Sequence, residues 1–503
     1  VSGAVSVANL ATGGLAYAVL PLGAWTPPRL FETLATDGPA CLLDSAQVHP
    51  RTGRYSIVVA PPRAILHGKG EAFTWSYPAD GVERPVVGNP FQLLRHHLRR
   101  RRNAPVPGLP PFQCGVVGLL GYELVRHLER LPATTVDDAG VPDLFLLSCD
   151  RCVVVDHVAE RLWVMARRSS ADGGTVADEG DPIAWVEETA ARVAAGPAAA
   201  AVRPLRLTAP LAPHWERATY LAAVARVQRY IAAGDIFQAN LAQRFAAPVD
   251  DGDPWDLYLR LRAINPAPFA GFLRGGDFAV VSSSPERLVR VEDRVVESRP
   301  IAGTFRRPAQ AGEVEATAAA LRADPKERAE HLMLVDLIRN DLGRVCLYGT
   351  IEVDELLATE VYSHVVHLVS NVRGRLHPKQ DVVDCLRACF PGGTITGVPK
   401  VRCMEILDEL EPFYRGPYTG ALAYFSDTGA MDTNILIRTI TVRGGRALLH
   451  AGGGIVADSD PEREYQETLH KAAALVEALG ARQTARLREP ERWSLAKTRR
   501  RKE

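Results

Sequence analysis

The 503-residue chain lacks an excess of either charge: Lys+Arg and Asp+Glu both number 59. A field strong enough to gather nucleic acid or an anionic membrane surface is therefore not expected. No run is long and apolar enough to cross a bilayer. Residues 1–28 carry no charge before Arg29, but they have no basic leading region and hold Gly and Pro inside the apolar part. A signal peptide is not expected, and Leu15–Leu22 reads as a strand. Cysteine is sparse. Of the 8, Cys149 and Cys152 stand three apart in CDRC, with Cys114 elsewhere. Without a second such pair a zinc site is not expected, and buried thiols in a reducing cytosol fit. The GxxxxGK[ST] spacing of a phosphate-cradling loop is absent, as is any internal repeat.

What is present is a globular composition, 47% hydrophobic, in a chain long enough for two domains or one large one. The first region, 14–200, is rich in short β-branched runs such as Tyr55–Val59, Val116–Leu120 and Cys152–Asp156, with helices at Phe91–Leu98 and Pro182–Ala195. Residues 196–213, rich in Ala and Pro, read as a linker. The second region, 205–480, opens with a helix over about His214–Ala233, closed by Gly234. Strands are expected at Phe278–Ser282, Arg287–Glu292, Ala421–Ser426, Asn434–Val442 and Ala447–His450. Helices are expected at 314–322, 325–341, 379–388, 399–409 and 461–478. Successive strands joined by short turns predict antiparallel sheet and an α+β class. The basic tail at 486–503 reads as disordered.

Two stretches carry the chemistry. In RALLHAGGGIVADSDPEREYQETLHK (446–471) a strand runs into Gly452–Gly454, read as a tight turn, and resumes at Ile455–Ala457. Ser459 or Asp460 then caps a helix with Pro461 in its first turn. Glu464 and Glu467 share a face of that helix, and Lys471 follows four residues on. In DPKERAEHLMLVDLIRNDLGR (324–344), Asp324 is the N-cap and Glu327 and Glu330 repeat the same spacing. Two ExxE helices can face each other as a carboxylate box for a hard cation such as Mg²⁺. The alternative is two solvated faces, with Glu467 and Lys471 as an ordinary ion pair.

Other residues are open to two readings. CFPGGTITGVPK (389–400) runs a glycine turn into a helix, which suits an anion or merely reverses the chain. His364 and His367 lie in an apolar run, where His367 is either a site residue or a satisfied core histidine. Arg438, in NILIRTITV, needs an anion if its strand is buried and only water if it is not. Glu286, at a strand end in SSSPERL, is a candidate general acid or an exposed loop residue.

Taken together these stretches resemble the chorismate-utilising enzymes. The resemblance runs from about Phe31 to Leu479 through GDIFQANLAQRF (234–245), SSSPERL (282–288), SRPIAGT (298–304), KERAEHLMLVDLIRNDLGR (326–344), VVHLVS (365–370), FPGGTITGVPKVRCMEILDELEP (390–412), MDTNILIRT (431–439) and AGGGIVADSDPEREYQETLHKA (451–472). It implies large antiparallel sheets wrapped by helices, with the N- and C-terminal parts interleaved. It also implies Mg²⁺ on Glu330 and Glu467, with Glu327 and Glu464 as neighbouring or water-mediated ligands. Substrate carboxylates would meet Thr394, Tyr418, Arg438, Gly452, Gly453, Gly454 and Lys471. Glu286 would help the C4 hydroxyl leave, and His367 would be the active-site histidine. Leu42–Ser45 and Gly53–Val58 resemble the family's tryptophan pocket, with Ser45 at its serine.

Within the family the residues divide. Gln238 stands where isochorismate and salicylate synthases have a water-activating lysine, so ammonia is the expected nucleophile. NLAQRF, NPAPF (265–269), GGTITG and AGGGIV resemble aminodeoxychorismate synthase component I; anthranilate synthases more often show AGAGIV. Ala302 dissents. It fills the position of the lysine that aminodeoxychorismate synthases carry in PIKGT, and alanine cannot be a nucleophile. The expectation is an aminodeoxychorismate synthase component I in the cytoplasm. Anthranilate synthase component I is the alternative, and a non-catalytic amino-acid-binding subunit is a third reading. The chain carries no G-x-C-x-G motif, so a separate glutamine amidotransferase subunit is the expected partner.

Overall fold

The computed structural model describes residues 7–11, 14–35, 38–168, 181–196, 202–308, 310–361 and 365–480. The expected tail at 486–503, His364 and part of the 196–213 linker lie outside them.

Two antiparallel sheets of 13 and 12 strands organise these residues. Each takes strands from both expected regions. Ala40–Asp44 pairs with Phe269–Arg274 in the larger sheet, and Gly115–Leu120 pairs with Ala421–Ser426 in the smaller. Both faces of the central strands are buried, which explains their nearly unbroken apolar runs. Along Cys152–Val155 and Leu162–Ala166, the side chains of Val153, Val155, Leu162 and Val164 enter a core shared with helices. Their neighbours Cys152, Val154, Trp163 and Met165 enter the core between the sheets. In the smaller sheet Val116 and Leu146 face the outer helices, while Val117 and Leu147 face inward. Helices therefore cover both outer faces of a two-sheet sandwich, as the α+β expectation requires.

Most helices begin where the local chemistry places them. Asp324 accepts the N–H groups of Lys326 and Glu327 and caps Pro325–Gly343. Asp460, not Ser459, caps Pro461–Ala478; Ser459 instead accepts Val456 N–H and donates to Glu464. The first helix of the second region starts later than expected, at Arg217.

Two strand expectations are corrected. Gly452–Gly454 is no turn: Arg446–Ile455 is one strand, paired without interruption to Gln238–Pro248. The glycines serve close approach. A Cβ on Gly454 would lie 2.0 Å from Gln238 Nε2, and one on Gly452 2.7 Å from the Leu241 carbonyl oxygen. Nor is Asn434–Val442 one strand. Met431–Asn434 belongs to the smaller sheet and Thr439–Arg443 to the larger, and the chain crosses between them with Arg438 at φ +53°.

This arrangement predicts a contrast. Gly452→Ala pushes a methyl onto fixed backbone and should lower stability by about 1–3 kcal/mol. Gly453→Ala, whose nearest neighbour is the movable Glu464 carboxylate at 3.1 Å, should cost less. Denaturant unfolding of both variants checks the order; equal effects would contradict the ladder.

Candidate active site

The site forms where the chain changes sheets. Phe278–Ser284 lies in the larger sheet and Arg287–Glu292 in the smaller, with Glu286 between them. The 435–438 crossing runs alongside in the opposite sense. Ile435 N–H donates to the Glu286 carbonyl at 3.0 Å, and Ser283 N–H to that of Arg438 at 3.1 Å. A crossing interrupts both ladders, so polar side chains can point into the gap between them.

The Glu286 side chain is such a group. Burial lifts its pKa to about 7, against Thr394, the Ile301 backbone N–H and the Lys471 charge, which favour the carboxylate. The Thr394 hydroxyl is buried beside it without a hydrogen bond of full geometry among the described residues. Arg438 supplies the opposite charge. Burial pulls its pKa below the ordinary guanidinium value, opposed by Tyr418 and Glu467. Among the described residues, no ion pair engages this guanidinium, so a half-buried cation faces the site without an anion. Tyr418 packs nearby, stacked on His450 with ring centroids 5.0 Å apart. His367 is brought to about 4 by burial and by Arg438, against Glu360 and a hydrogen bond to Gly303. It is a neutral imidazole at neutral pH.

The two ExxE helices converge on the same place. Burial and the neighbours Glu327, Asp458 and Glu464 raise Glu330 to about 7, against Lys326. Glu327 is raised by burial, Asp324 and Glu467, and Glu464 by burial and Glu467. Carboxylates from one helix thus resist ionisation of those on the other. Glu467 also pairs with Lys471 at 2.6 Å, and Lys471 donates to the Gly452 carbonyl at 3.1 Å. The pair left open by the sequence is therefore real, and it sits inside the carboxylate group. Lys326 reaches across to Asp458 at 3.4 Å.

The donor set fits a hard divalent cation. It offers oxygen alone, and its mutual repulsion is what a bound cation would relieve. Among the described residues, no three His, Cys, Asp or Glu side chains close into a metal cage. Mg²⁺ asks for no cage, because it keeps waters and takes one or two carboxylates with substrate oxygens.

The glycine strand floors the site. Gly453 lies against Glu464 and Glu467, while Gln238 and Asn240 lie over Gly454 and Gly452. The side-chain oxygens of Gln238 and Asn240 are buried without hydrogen-bond partners among the described residues, and Asn240 Nδ2 donates to the Thr394 carbonyl at 3.2 Å. Ala302 is on the neighbouring Ile301–Arg306 strand, its carbonyl 3.1 Å from His331 Nδ1. Ser45 lies apart, lining a cavity of about 430 Å³ with Arg51, Thr52, Phe269 and Asn434. A cavity of about 810 Å³, larger than the one at Ser45, contains none of the expected residues. Sequence reasoning gave no role to His331, Asn240 or Lys326. All three lie inside the quoted motifs, but their partners Ala302, Ser370, Thr394 and Asp458 stand far away along the chain.

A family model described as chorismate binding enzyme matches residues 39–477. The chain belongs to the chorismate-binding enzymes. It is 43% identical over 470 residues to anthranilate synthase component 1 of Streptomyces coelicolor, covering 90% of this chain and 86% of that protein. It is 40% identical to aminodeoxychorismate synthase component 1 of Bacillus subtilis, covering 87% and 91%. Among solved structures, anthranilate synthase component I from Streptococcus pneumoniae superposes with a TM-score of 0.72 at 32% identity, covering 84% of this chain and 92% of that one. The isochorismate synthase MenF of Escherichia coli shares the fold, with a TM-score of 0.66 at 20% identity over 95% of this chain and 96% of that one. This chain is therefore a chorismate-utilising enzyme of the anthranilate and aminodeoxychorismate synthase component I type.

The Glu286 carboxyl gives a pH test. Its folded pKa is raised from 4.5 to about 7, so its contribution to stability is complete below 4.5 and lost as pH rises through 7. Glu286→Gln should be more stable than wild type above pH 7, by up to about 3 kcal/mol, with the gap closing near pH 4.5. Denaturant midpoints against pH check this; a constant gap would contradict it.

Proposed function

We propose that the chain aminates chorismate at C4 as an Mg²⁺-dependent aminodeoxychorismate synthase component I. Ammonia would come from a separate glutamine amidotransferase subunit, in the cytoplasm. The observation that carries an anionic substrate is the half-buried Arg438 guanidinium, without an ion-pair partner among the described residues and opposite a group of crowded carboxylates. A dianionic ring substrate brings one carboxylate for Arg438 and another for a cation held by Glu330 and Glu467, with Glu327 and Glu464 beside them. When bound, the Mg²⁺ neutralises the ring carboxylate and polarises it. Glu286, protonated up to about pH 7, holds a proton for the departing C4 hydroxyl. Neutral His367 and the Tyr418 hydroxyl line the approach. Gln238 has no basic nitrogen with which to activate water, whereas ammonia carries its own lone pair. The motifs NLAQRF, GGTITG and AGGGIV, which surround Asn240, Thr394 and Gly453, support the C4 product.

A second reading is favoured by a specific observation. Ala302 lies on the strand beside His367, where no side chain can attack the ring, and most of the similar proteins are named anthranilate synthase. Amination at C2 with loss of pyruvate needs no such group. The Ser45 cavity, of a size that takes small molecules, would then be a tryptophan site. A purely amino-acid-binding subunit is disfavoured, because it would have no use for crowded carboxylates beside Arg438.

Chorismate, Mg²⁺ and ammonium should yield 4-amino-4-deoxychorismate, with pyruvate released only after a lyase is added. Fluorescent anthranilate with stoichiometric pyruvate and no added lyase would establish the second reading instead. Glu330→Ala and Glu467→Ala should each abolish turnover with circular dichroism unchanged; near-wild-type rates at low Mg²⁺ in either variant would refute the metal assignment. The isolated chain should use ammonium and not glutamine, and vigorous glutamine-dependent turnover without a second subunit would exclude the proposed partner.

A further inference from the structure

Two histidines hold successive carbonyls of the Ile301–Arg306 strand. His367, on the adjacent strand, hydrogen-bonds to Gly303, and His331, from the Pro325–Gly343 helix, to Ala302. His331 follows Glu330 directly and lies one turn beyond Glu327. It is fully buried. Its Nδ1 stands 3.1 Å from the Ala302 carbonyl and its Nε2 2.7 Å from Ser370 Oγ. The direction of these bonds is forced. A carbonyl only accepts, so Nδ1 carries a hydrogen, and in the neutral ring Nε2 then accepts from the serine hydroxyl. Ser370 Oγ in turn accepts the N–H of Leu357 at 3.0 Å. Leu357 has φ +54° and sits where the Glu352–Val361 strand slips register against Val365–Arg375. Four elements are thus tied through one imidazole whose two nitrogens are both engaged.

The next residue shows what that tie controls. A Cβ on Gly303 would lie 2.9 Å from Glu327 Oε2, so the strand backbone and the first carboxylate of the helix are already in close approach. The helix cannot slide along this strand without breaking the His331–Ala302 bond. We propose that His331 is the positioning residue that fixes the register of the Glu327 and Glu330 carboxylates against the strand bearing Ala302 and Gly303. It touches neither substrate nor cation and acts through the helix. The inference rests on the reading of these carboxylates as part of a divalent-cation site. Groups that orient ligands from behind are worth about 10- to 100-fold in cation affinity.

The test is Mn²⁺ binding to the full chain, followed by water-proton relaxation with and without chorismate, alongside the Mg²⁺ dependence of turnover. Weakened binding in Glu330→Ala or Glu467→Ala locates the cation. Wild-type binding in both variants would defeat the cation-site reading itself, whatever His331 does. With the site located, His331→Ala should weaken Mn²⁺ binding by about tenfold or more. His331→Asn should recover most of that loss, because its amide N–H reaches the Ala302 carbonyl from close to the Nδ1 position. His331→Gln, which places its amide towards Ser370, should not. A folded His331→Ala that binds Mn²⁺ as wild type does would overturn the proposal. So would equal binding by the Asn and Gln variants, a comparison that still decides the matter if the alanine variant fails to fold. A structural role alone would lower the unfolding midpoint and leave the Mn²⁺ affinity of the folded fraction unchanged.

Discussion

Carboxylates on two helices are held close enough to oppose one another's ionisation, beside a half-buried arginine that has no ion-pair partner among the described residues. Left to themselves, such groups would separate or protonate. They stay together because the helices that bear them are fixed to the sheets by large buried faces. Leu334, Val335, Ile338 and Leu342 anchor the first helix, and Tyr465, Ala472, Leu475 and Val476 the second. The packing energy of the two helices holds the charges in opposition, and a divalent cation with a carboxylate substrate would relieve it. Glu467 already shows the compromise reached without them, in its ion pair with Lys471. That pair is half exposed and contributes little to stability.

The sheets supply the other half of the site. Two long antiparallel sheets packed face to face bury mostly apolar side chains along their central strands, and leave few places for a charged side chain that has no partner there. The crossings at Glu286 and 435–438 are such places. There the ladders stop, backbone groups bond across from one crossing to the other, and Glu286 can be buried and Arg438 half-buried without lying in either core. Gly452–Gly454 does something similar within an intact ladder. By omitting side chains, it opens the floor beneath Gln238, Asn240 and the second helix's carboxylates.

What the sequence made legible was local. Asp324 and Asp460 cap their helices because a short acceptor side chain before a first-turn proline needs only its own next residues. The ExxE spacing places each pair of glutamates on one face for the same reason. The misreadings were non-local. Three glycines in a row look like a turn when their crowding neighbour, Gln238, is far away along the chain. A β-branched run looks like one strand when Arg438 in fact marks a change of sheet. Sheet order, in which each sheet joins a block of first-region strands to a block of second-region strands at one seam, has no local signature. His331 stood inside a recognised motif, yet its role depends on Ala302 and Ser370, which only the tertiary fold brings to its two nitrogens. The product is the least legible feature, since Ala302 and the glycine-rich motifs point to different members of one family.

The central claim is that the opposed glutamates and Arg438 serve one ligand set, a cation and a dianionic substrate bound together. The most direct measurement is a crystal structure with Mn²⁺ in place of Mg²⁺ and unreacted chorismate, supplied without ammonia, with the ion located by its anomalous scattering. The account predicts the ion between Glu330 and Glu467, in contact with one substrate carboxylate, while the other carboxylate meets Arg438. An ion bound elsewhere, or substrate that leaves Arg438 without an anionic partner, would contradict it.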